Sequence, residues 1–340
     1  MKKVIPSGLG HLAIWLHLIG IAIPAIPATA ANQANLDWRF SNPRPHGNNV
    51  VNMEFSPTLG LGIQVCERGR FYHSADLVNW TLGSSGTGQS LRSVAFFNNR
   101  IVITGQEGTV LWGDSVTNLQ PGNITATLDW LEDVAASTNM VVAVGDFGAI
   151  YTSGDGISWT KQSVTFAGWL RAVTWAGGQW VTVGETGTIA TSPNGTTWTK
   201  RTSGTTADLN NVNYLDGTYY VVGAAGVSLA SADAVTWTPE NIGATNDLFS
   251  IATAGGSTRV YVGEDAVWQT LNGGNFWTNI VNVANGPPAW IAPATARDDT
   301  AVSMPARSAS GNCLTAWAMI GPTAITRSAW VAAAWRTRTC

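Results

Sequence analysis

Carboxylates recur at an interval that could place an acid and a base together. Asp146 and Glu185 are 39 residues apart, and Glu264 with Asp265 follows about two such steps later. A pair of carboxyl groups flanking a glycosidic bond is the usual machinery of glycoside hydrolysis. Asp146, Glu185 and Glu264, however, each directly follow a glycine at the end of an apolar run. There, a short acidic side chain is ordinary turn chemistry. Serine-histidine chemistry has only His46 and His73 to draw on once His11 and His17 are assigned to a leader, and neither lies in a nucleophile elbow. Tyr72, Tyr151, Tyr214, Tyr219, Tyr220 and Tyr261 mostly alternate with apolar residues and read as core. No catalytic residue is assigned. Cys66, Cys313 and Cys340 show no close pair of the kind zinc requires, so neither metal nor cofactor is expected.

A different chemistry suits Trp130 and Trp169, again 39 residues apart. Glu132 and Arg171 stand just after them, and Arg92 holds the matching position one step earlier. Tryptophan beside Arg and Glu is the composition of a binding hot spot for protein or sugar. Asp146, Phe147 and Glu185 fall at turns on the same expected face and complete the candidate binding set.

These residues are spaced by a repeat of about 39 residues, which must also build the elements that position them. Trp followed by Thr occurs at Trp80, Trp159, Trp198, Trp237 and Trp277, with Leu119 on the missing beat. Leu-x-x-Val or Leu-x-x-Ile starts at Leu91, Leu131, Leu170, Leu209 and Leu248. An apolar run ends in Gly105, Gly145, Gly184, Gly223 and Gly263, and four of these have a second glycine three residues on. An earlier copy runs from Val50 to Trp80, with Cys66 in place of the first glycine. One period reads as four short strands, LRAVTW, QWVTVG, GTIATS and TTWTK, each rich in β-branched and aromatic residues and bounded by turn formers. Four antiparallel strands per period predict an all-β propeller, because a single blade buries its faces only against its neighbours. Six copies are clear between about 50 and 278, and seven blades are expected in total. In such a blade the 2-3 turns and the blade-to-blade connections share one face.

The turn before each periodic Trp reads Ser-x-Asp or a variant, at Asp76, Asp155, Asn194, Asp233 and Asn272. It resembles the Asp-box (BNR) repeat, although only the copy ending at Trp277 has the full spacing. The acidic or amide side chain is expected to cap its own turn while Trp80, Trp159, Trp198, Trp237 and Trp277 pack over it. Together with Val-Gly-Glu-Thr-Gly-Thr-Ile, these markers make the blade similar to those of the photosystem II assembly and stability factor family of secreted propellers. That resemblance implies a non-enzymatic protein that holds a protein partner. It also implies an arginine-rich partner surface, for which Arg92 and Arg171 are the available residues. Asp-box propellers also include sialidases and xyloglucan hydrolases, so a carbohydrate-binding or glycoside-hydrolysing propeller is the alternative.

Composition bounds the partners. Charged residues make up 11% of 340 residues, against roughly 25% in ordinary soluble domains. The formal charge of -3 offers no electrostatic footprint for nucleic acid. Lys2 and Lys3, an apolar stretch from Leu12 to Ile23 and the small residues Ala28-Thr29-Ala30 read as an export signal cleaved near Ala30. The domain plan is therefore a leader over 1–30 and a single propeller over 31–340, secreted or periplasmic. A monomer is expected, without a transmembrane anchor after cleavage. Residues 286–340 lose the repeat and read as a divergent last blade or tail. Leu36-Asp37-Trp38 is in phase with an outer strand that would close the ring. Cys313 and Cys340 could pair in an oxidising compartment.

Overall fold

The computed structural model describes residues 50–125, 127–255, 258–263, 266–270, 278–282, 314–320 and 329–335. Outside the described residues lie the leader at 1–30, the strand at 35–40, Glu264, Asp265, Asn272, Trp277, Cys313 and Cys340.

Six four-stranded antiparallel sheets follow one another along the chain, each in simple up-and-down order. The third comprises Leu131–Ala136, Val141–Gly145, Ile150–Ser153 and Thr160–Lys161, and the fourth Leu170–Ala176, Gln179–Gly184, Thr188–Ser192 and Thr199–Arg201. The first strands of blades 1, 2, 5 and 6 are Val50–Ser56, Leu91–Phe97, Leu209–Leu215 and Leu248–Gly255. First strands of successive blades are neighbours, so they form the inner ring, while outer strands such as Thr160–Lys161 are exposed. This is a β-propeller. A seventh, two-stranded sheet pairs Leu314–Ile320 with Ala329–Trp335, and Leu314–Ile320 lies against Val50–Ser56 of blade 1.

The core is divided into clusters between blades. Ala95, Phe97 and Val102 of blade 2 pack on Leu131, Val134 and Trp159 of blade 3, and equivalent clusters join the other successive pairs. Apolar area is thus removed from water only when neighbours dock, which makes the blades mutually dependent.

The inner strand of each of the six four-stranded blades begins with a β-bulge. In blade 3 Leu131 pairs with Gly145 while Asp133 pairs with Val144, leaving Glu132 as the extra residue. Arg92, Arg171, Asn210 and Phe249 take the same place in blades 2, 4, 5 and 6. A bulge re-aims side chains and bends its strand. It also explains the periodic glycine. A Cβ on Gly145 would lie 1.8 Å from the Trp130 carbonyl oxygen, and on Gly184 2.1 Å from that of Trp169. The backbone therefore approaches too closely for any side chain.

The turns before the periodic Trp are internally satisfied. Asp155 accepts the backbone N–H groups of Ile157 and Ser158, both at 2.7 Å, and the Ser153 hydroxyl at 2.9 Å. Asp76, Asn194 and Asp233 repeat the pattern. The Asn79 N–H and its companions hold the Asp76 carboxyl far below its ordinary value, and the Thr236 N–H group acts likewise on Asp233. Burial opposes the effect at Asp155, but the Ser158 and Ile157 N–H groups prevail and lower it. Trp159 is 6% exposed, whereas Trp80, Trp198 and Trp237 are half-buried.

Candidate functional site

The two ends of the ring are distinguished by their hydrogen bonds. On one end, a 1-2 turn reaches the 3-4 turn of the following blade: Arg100 Nη1 donates to the Asp155 carbonyl at 2.6 Å, and Gln179 Nε2 to that of Asp233 at 2.9 Å. On the other, the 2-3 turns of blades 2 to 5 are zipped to the residue preceding the inner strand. Gln106, Asp146, Glu185 and Ala224 donate their N–H groups to the carbonyls of Ser90, Trp130, Trp169 and Asp208. The candidate binding residues all belong to this second end.

On this end Trp130 and Trp169 meet edge to face, 6.0 Å between centroids and 76° between planes, a favoured aromatic geometry. The backbone beneath them is fixed by acidic side chains. Trp130 N–H donates to Asp146 Oδ1 at 2.9 Å and Trp169 N–H to Glu185 Oε2 at 3.1 Å. The 39-residue period thus brings two carboxylates to equivalent places, each anchoring the connection that carries a tryptophan.

Neither tryptophan stands free in solvent. They are half-buried, and each packs against the other. Arg92 lies 5.5 Å over the Trp130 ring and 3.5 Å from Glu132, with both members of the pair buried. Arg171 Nη2 lies 2.8 Å from Asp208 and 3.5 Å from Glu185, while its Nη1 donates to Asn210 at 2.8 Å. Bulge residues of adjacent blades therefore touch in pairs, Arg92 with Glu132 and Arg171 with Asn210. Phe147 is the aromatic that projects, 84% exposed at the tip of its turn, and Leu128 is 79% exposed in the connection leading to Trp130. Phe147 sits at φ 50°, a left-handed conformation shared by Arg68, Glu107, Thr186 and Ala225 at the same turn position.

Asp129 accepts from Tyr151 Oη at 2.8 Å and from Lys161 Nζ at 2.5 Å. Burial works against its ionisation, but these two partners keep its carboxyl below the ordinary value. Asp146 moves the other way: burial raises it, the Trp130 N–H opposes this, and the nearby Asp129 charge adds to the rise. Beside Thr186, an open depression of about 850 Å³ is lined by Thr202, Ser203, Thr205 and Thr206 with Lys200 and Arg201. Among the described residues no three His, Cys, Asp or Glu side chains converge to hold a metal.

Asp133, one residue past the bulge, is a residue that sequence reasoning missed. Its Oδ1 accepts the Ser93 hydroxyl of blade 2 at 2.7 Å and its own strand's Val134 N–H at 2.9 Å, while Oδ2 accepts the Val173 N–H of blade 4 at 2.8 Å. One carboxyl therefore ties three inner strands together beneath the tryptophans. The available signal was an acidic residue where the equivalent positions of the neighbouring blades carry Ser93 and Ala172.

Against this geometry, solved structures supply fold relatives. The chain is similar to YCF48 from Cyanidioschyzon merolae, with a TM-score of 0.61 and 15% identity over 77% of this chain and 95% of that one. It is likewise similar to YCF48 bound to D1 peptide, with a TM-score of 0.61 and 18% identity over 76% and 90% of the two chains. No family model matches the sequence, and no curated protein sequence matches it either.

Proposed function

We propose that this chain is an exported, non-enzymatic propeller that holds a segment of a partner protein, in the manner of an assembly or stability factor. The observation that carries the reading is the face built by Trp130, Trp169 and Phe147, in which half-buried aromatics on a rigid ring leave a fully presented Phe at the rim. Rigid aromatic anchors on a preformed surface lose little entropy on binding and dominate interface energetics. A YCF48 propeller of the same fold has been solved with a bound D1 peptide, so this architecture accommodates a peptide ligand. The carboxylates best placed for chemistry, Asp146 and Glu185, are engaged in positioning the Trp backbone, which favours a binding role over hydrolysis. The depression beside Thr186, rich in hydroxyls, is where the alternative of a carbohydrate ligand would be sought.

Affinity capture from the periplasm and medium of the source organism tests this reading. The natural chain should be recovered without residues 1–30 and should retain a specific protein. The Trp169→Ala, Phe147→Ser double variant, folded by circular dichroism, should release it with an affinity loss of about thirtyfold or more. Undiminished capture by the folded double variant refutes the site. Recovery of the chain only in the cytoplasm refutes export.

A further inference from the structure

We infer that the segment bound on this face is cationic and presents a bulky apolar side chain. The inference rests on the protein-binding reading above and names the chemistry of its partner. Around the Trp130–Trp169 pair stand five carboxylates, Asp129, Glu132, Asp146, Glu185 and Asp208, against three cations, Arg92, Arg171 and Lys161. Each cation is already committed: Arg92 to Glu132 at 3.5 Å, Lys161 to Asp129 at 2.5 Å, and Arg171 to Asp208 at 2.8 Å with Glu185 at 3.5 Å. Five negative charges less three positive leave a local excess of two. Asp146 has no ion pair within 4 Å among the described residues, and its more distant neighbours Asp129 and Lys161 act on its charge in opposite directions. Glu185 and Asp208 share one guanidinium.

An anionic segment would have to draw Arg92 off the Trp130 ring and Glu132, or compete with Asp208 for Arg171 and with Asp129 for Lys161. Arg92 and Glu132 are buried, and separating such a desolvated pair leaves a charge without its partner and is strongly unfavourable; the partly exposed Arg171 and Lys161 are already neutralised by Asp208 and Asp129. A lysine or arginine of a partner meets the opposite situation, because it neutralises Asp146 or Glu185 without displacing anything. The apolar half of the requirement comes from Phe147 and Leu128, the two most exposed large hydrophobic residues among those described. The Asp146 hydrogen bonds to Trp130 place the Phe147 turn next to the tryptophan, and Leu128 precedes Trp130 by two residues. Acidic and apolar groups thus alternate around one centre.

Fluorescence anisotropy with three sets of short labelled peptides tests the inference. All share the same Leu, Phe and Trp content and differ in carrying Lys/Arg, Ser/Gln or Asp/Glu at the remaining positions. The cationic set should bind the natural chain about tenfold or more tighter than the neutral set, and the preference should shrink when salt rises to roughly 0.5 M, where the screening length falls to a few ångströms. Asp146→Asn with Glu185→Gln should bring the ratio of cationic-set to neutral-set affinity down to about one, whatever the variant does to both affinities through the Trp130 and Trp169 backbone. Phe147→Ser should weaken all three sets. Binding of the neutral or acidic set as strongly as the cationic one, with Phe147 still required, overturns the charge inference and leaves the protein-binding reading intact. Failure of every set to bind overturns the inference; whether the reading also falls is then decided by the capture experiment with Trp169→Ala, Phe147→Ser.

Discussion

Replacing Asp133 should produce a stability change whose size depends on pH in a direction opposite to that of an ordinary surface carboxylate. Burial pushes its carboxyl from 3.8 up to about 6, against the hydrogen bonds from Val173, Ser93 and Val134. A carboxyl raised in the folded state disfavours folding once it ionises, so stability from this group is greatest in acid and declines as pH climbs from about 4 to about 6. With about 1.36 kcal/mol per unit, the ionised group costs about 3 kcal/mol at pH 7.5 and about 1.5 kcal/mol at pH 5. Glu54, also raised by burial and by the charge of Asp133, adds to the same slope. Asp133→Ala leaves the Val134 and Val173 N–H groups without their acceptor, at roughly 1–3 kcal/mol each, but also removes the buried charge. The net change at pH 7.5 should therefore lie between a gain of about 1 kcal/mol and a loss of about 3 kcal/mol, and the loss should be about 1.5 kcal/mol larger at pH 5. Urea unfolding followed by tryptophan fluorescence at the two pH values measures it, with Asp133→Asn as a variant that cannot titrate. A loss equal at both pH values, or larger at pH 7.5, refutes the assignment of Asp133 as a buried carboxyl that clamps the inner strands.

Gly145→Ala should destabilise by about 2 kcal/mol or more, since its Cβ would need the space of the Trp130 carbonyl; Gly154→Ala, with nothing within 4 Å, should change urea stability by less than about 1 kcal/mol. Equal effects would mean that the bulge does not require glycine. Trp159→Ala should lose roughly 3–5 kcal/mol as a buried aromatic. Trp198→Ala, half-buried with its indole N–H on the Gly195 carbonyl at 2.8 Å, should lose about 1–3 kcal/mol in the same assay; a reversed order refutes the burial ranking.

The fold was legible because a propeller blade is local. Four strands, their turns and their spacing all lie within 39 residues, so period, turn formers and β-branched runs suffice to identify them. The bulge was less visible, although its signal is present in Leu-x-x-Val. Residues three apart on a regular strand point to opposite faces, yet Leu131 and Val134 share one core cluster, as do Leu170 and Val173. An odd spacing between two residues on the same side demands one extra residue, which is the definition of a bulge. The positions of Trp130, Trp169 and the 2-3 turns followed from strand parity. Their exposure did not, because whether a tryptophan stands out or lies down depends on the side chains of the next blade, and the period carries no information on those. The pairing of Arg92 with Glu132 and of Arg171 with Asp208 was hidden for the same reason.

In a ring of repeats, the residues that recur in every blade are those the architecture needs, and the residues that differ at equivalent positions are free to make a site. Gly at the end of the second strand and Leu at the start of the first recur with little change because one permits the bulge and the other fills the space between blades. The bulge residue itself varies as Arg92, Glu132, Arg171, Asn210 and Phe249, and the residue before the strand as Ser90, Trp130, Trp169, Asp208 and Asp247. Aromatic side chains occupy the latter position only in blades 3 and 4 among the described blades, and the most exposed aromatic, Phe147, is on blade 3. The proposed recognition surface therefore lies on blades 3 and 4, whose inner strands Asp133 joins. A partner seated there contacts the two blades whose relative placement that carboxyl fixes, so loosening the clamp with Asp133→Ala should weaken partner capture as well as stability, even though Asp133 itself is too buried to touch the ligand.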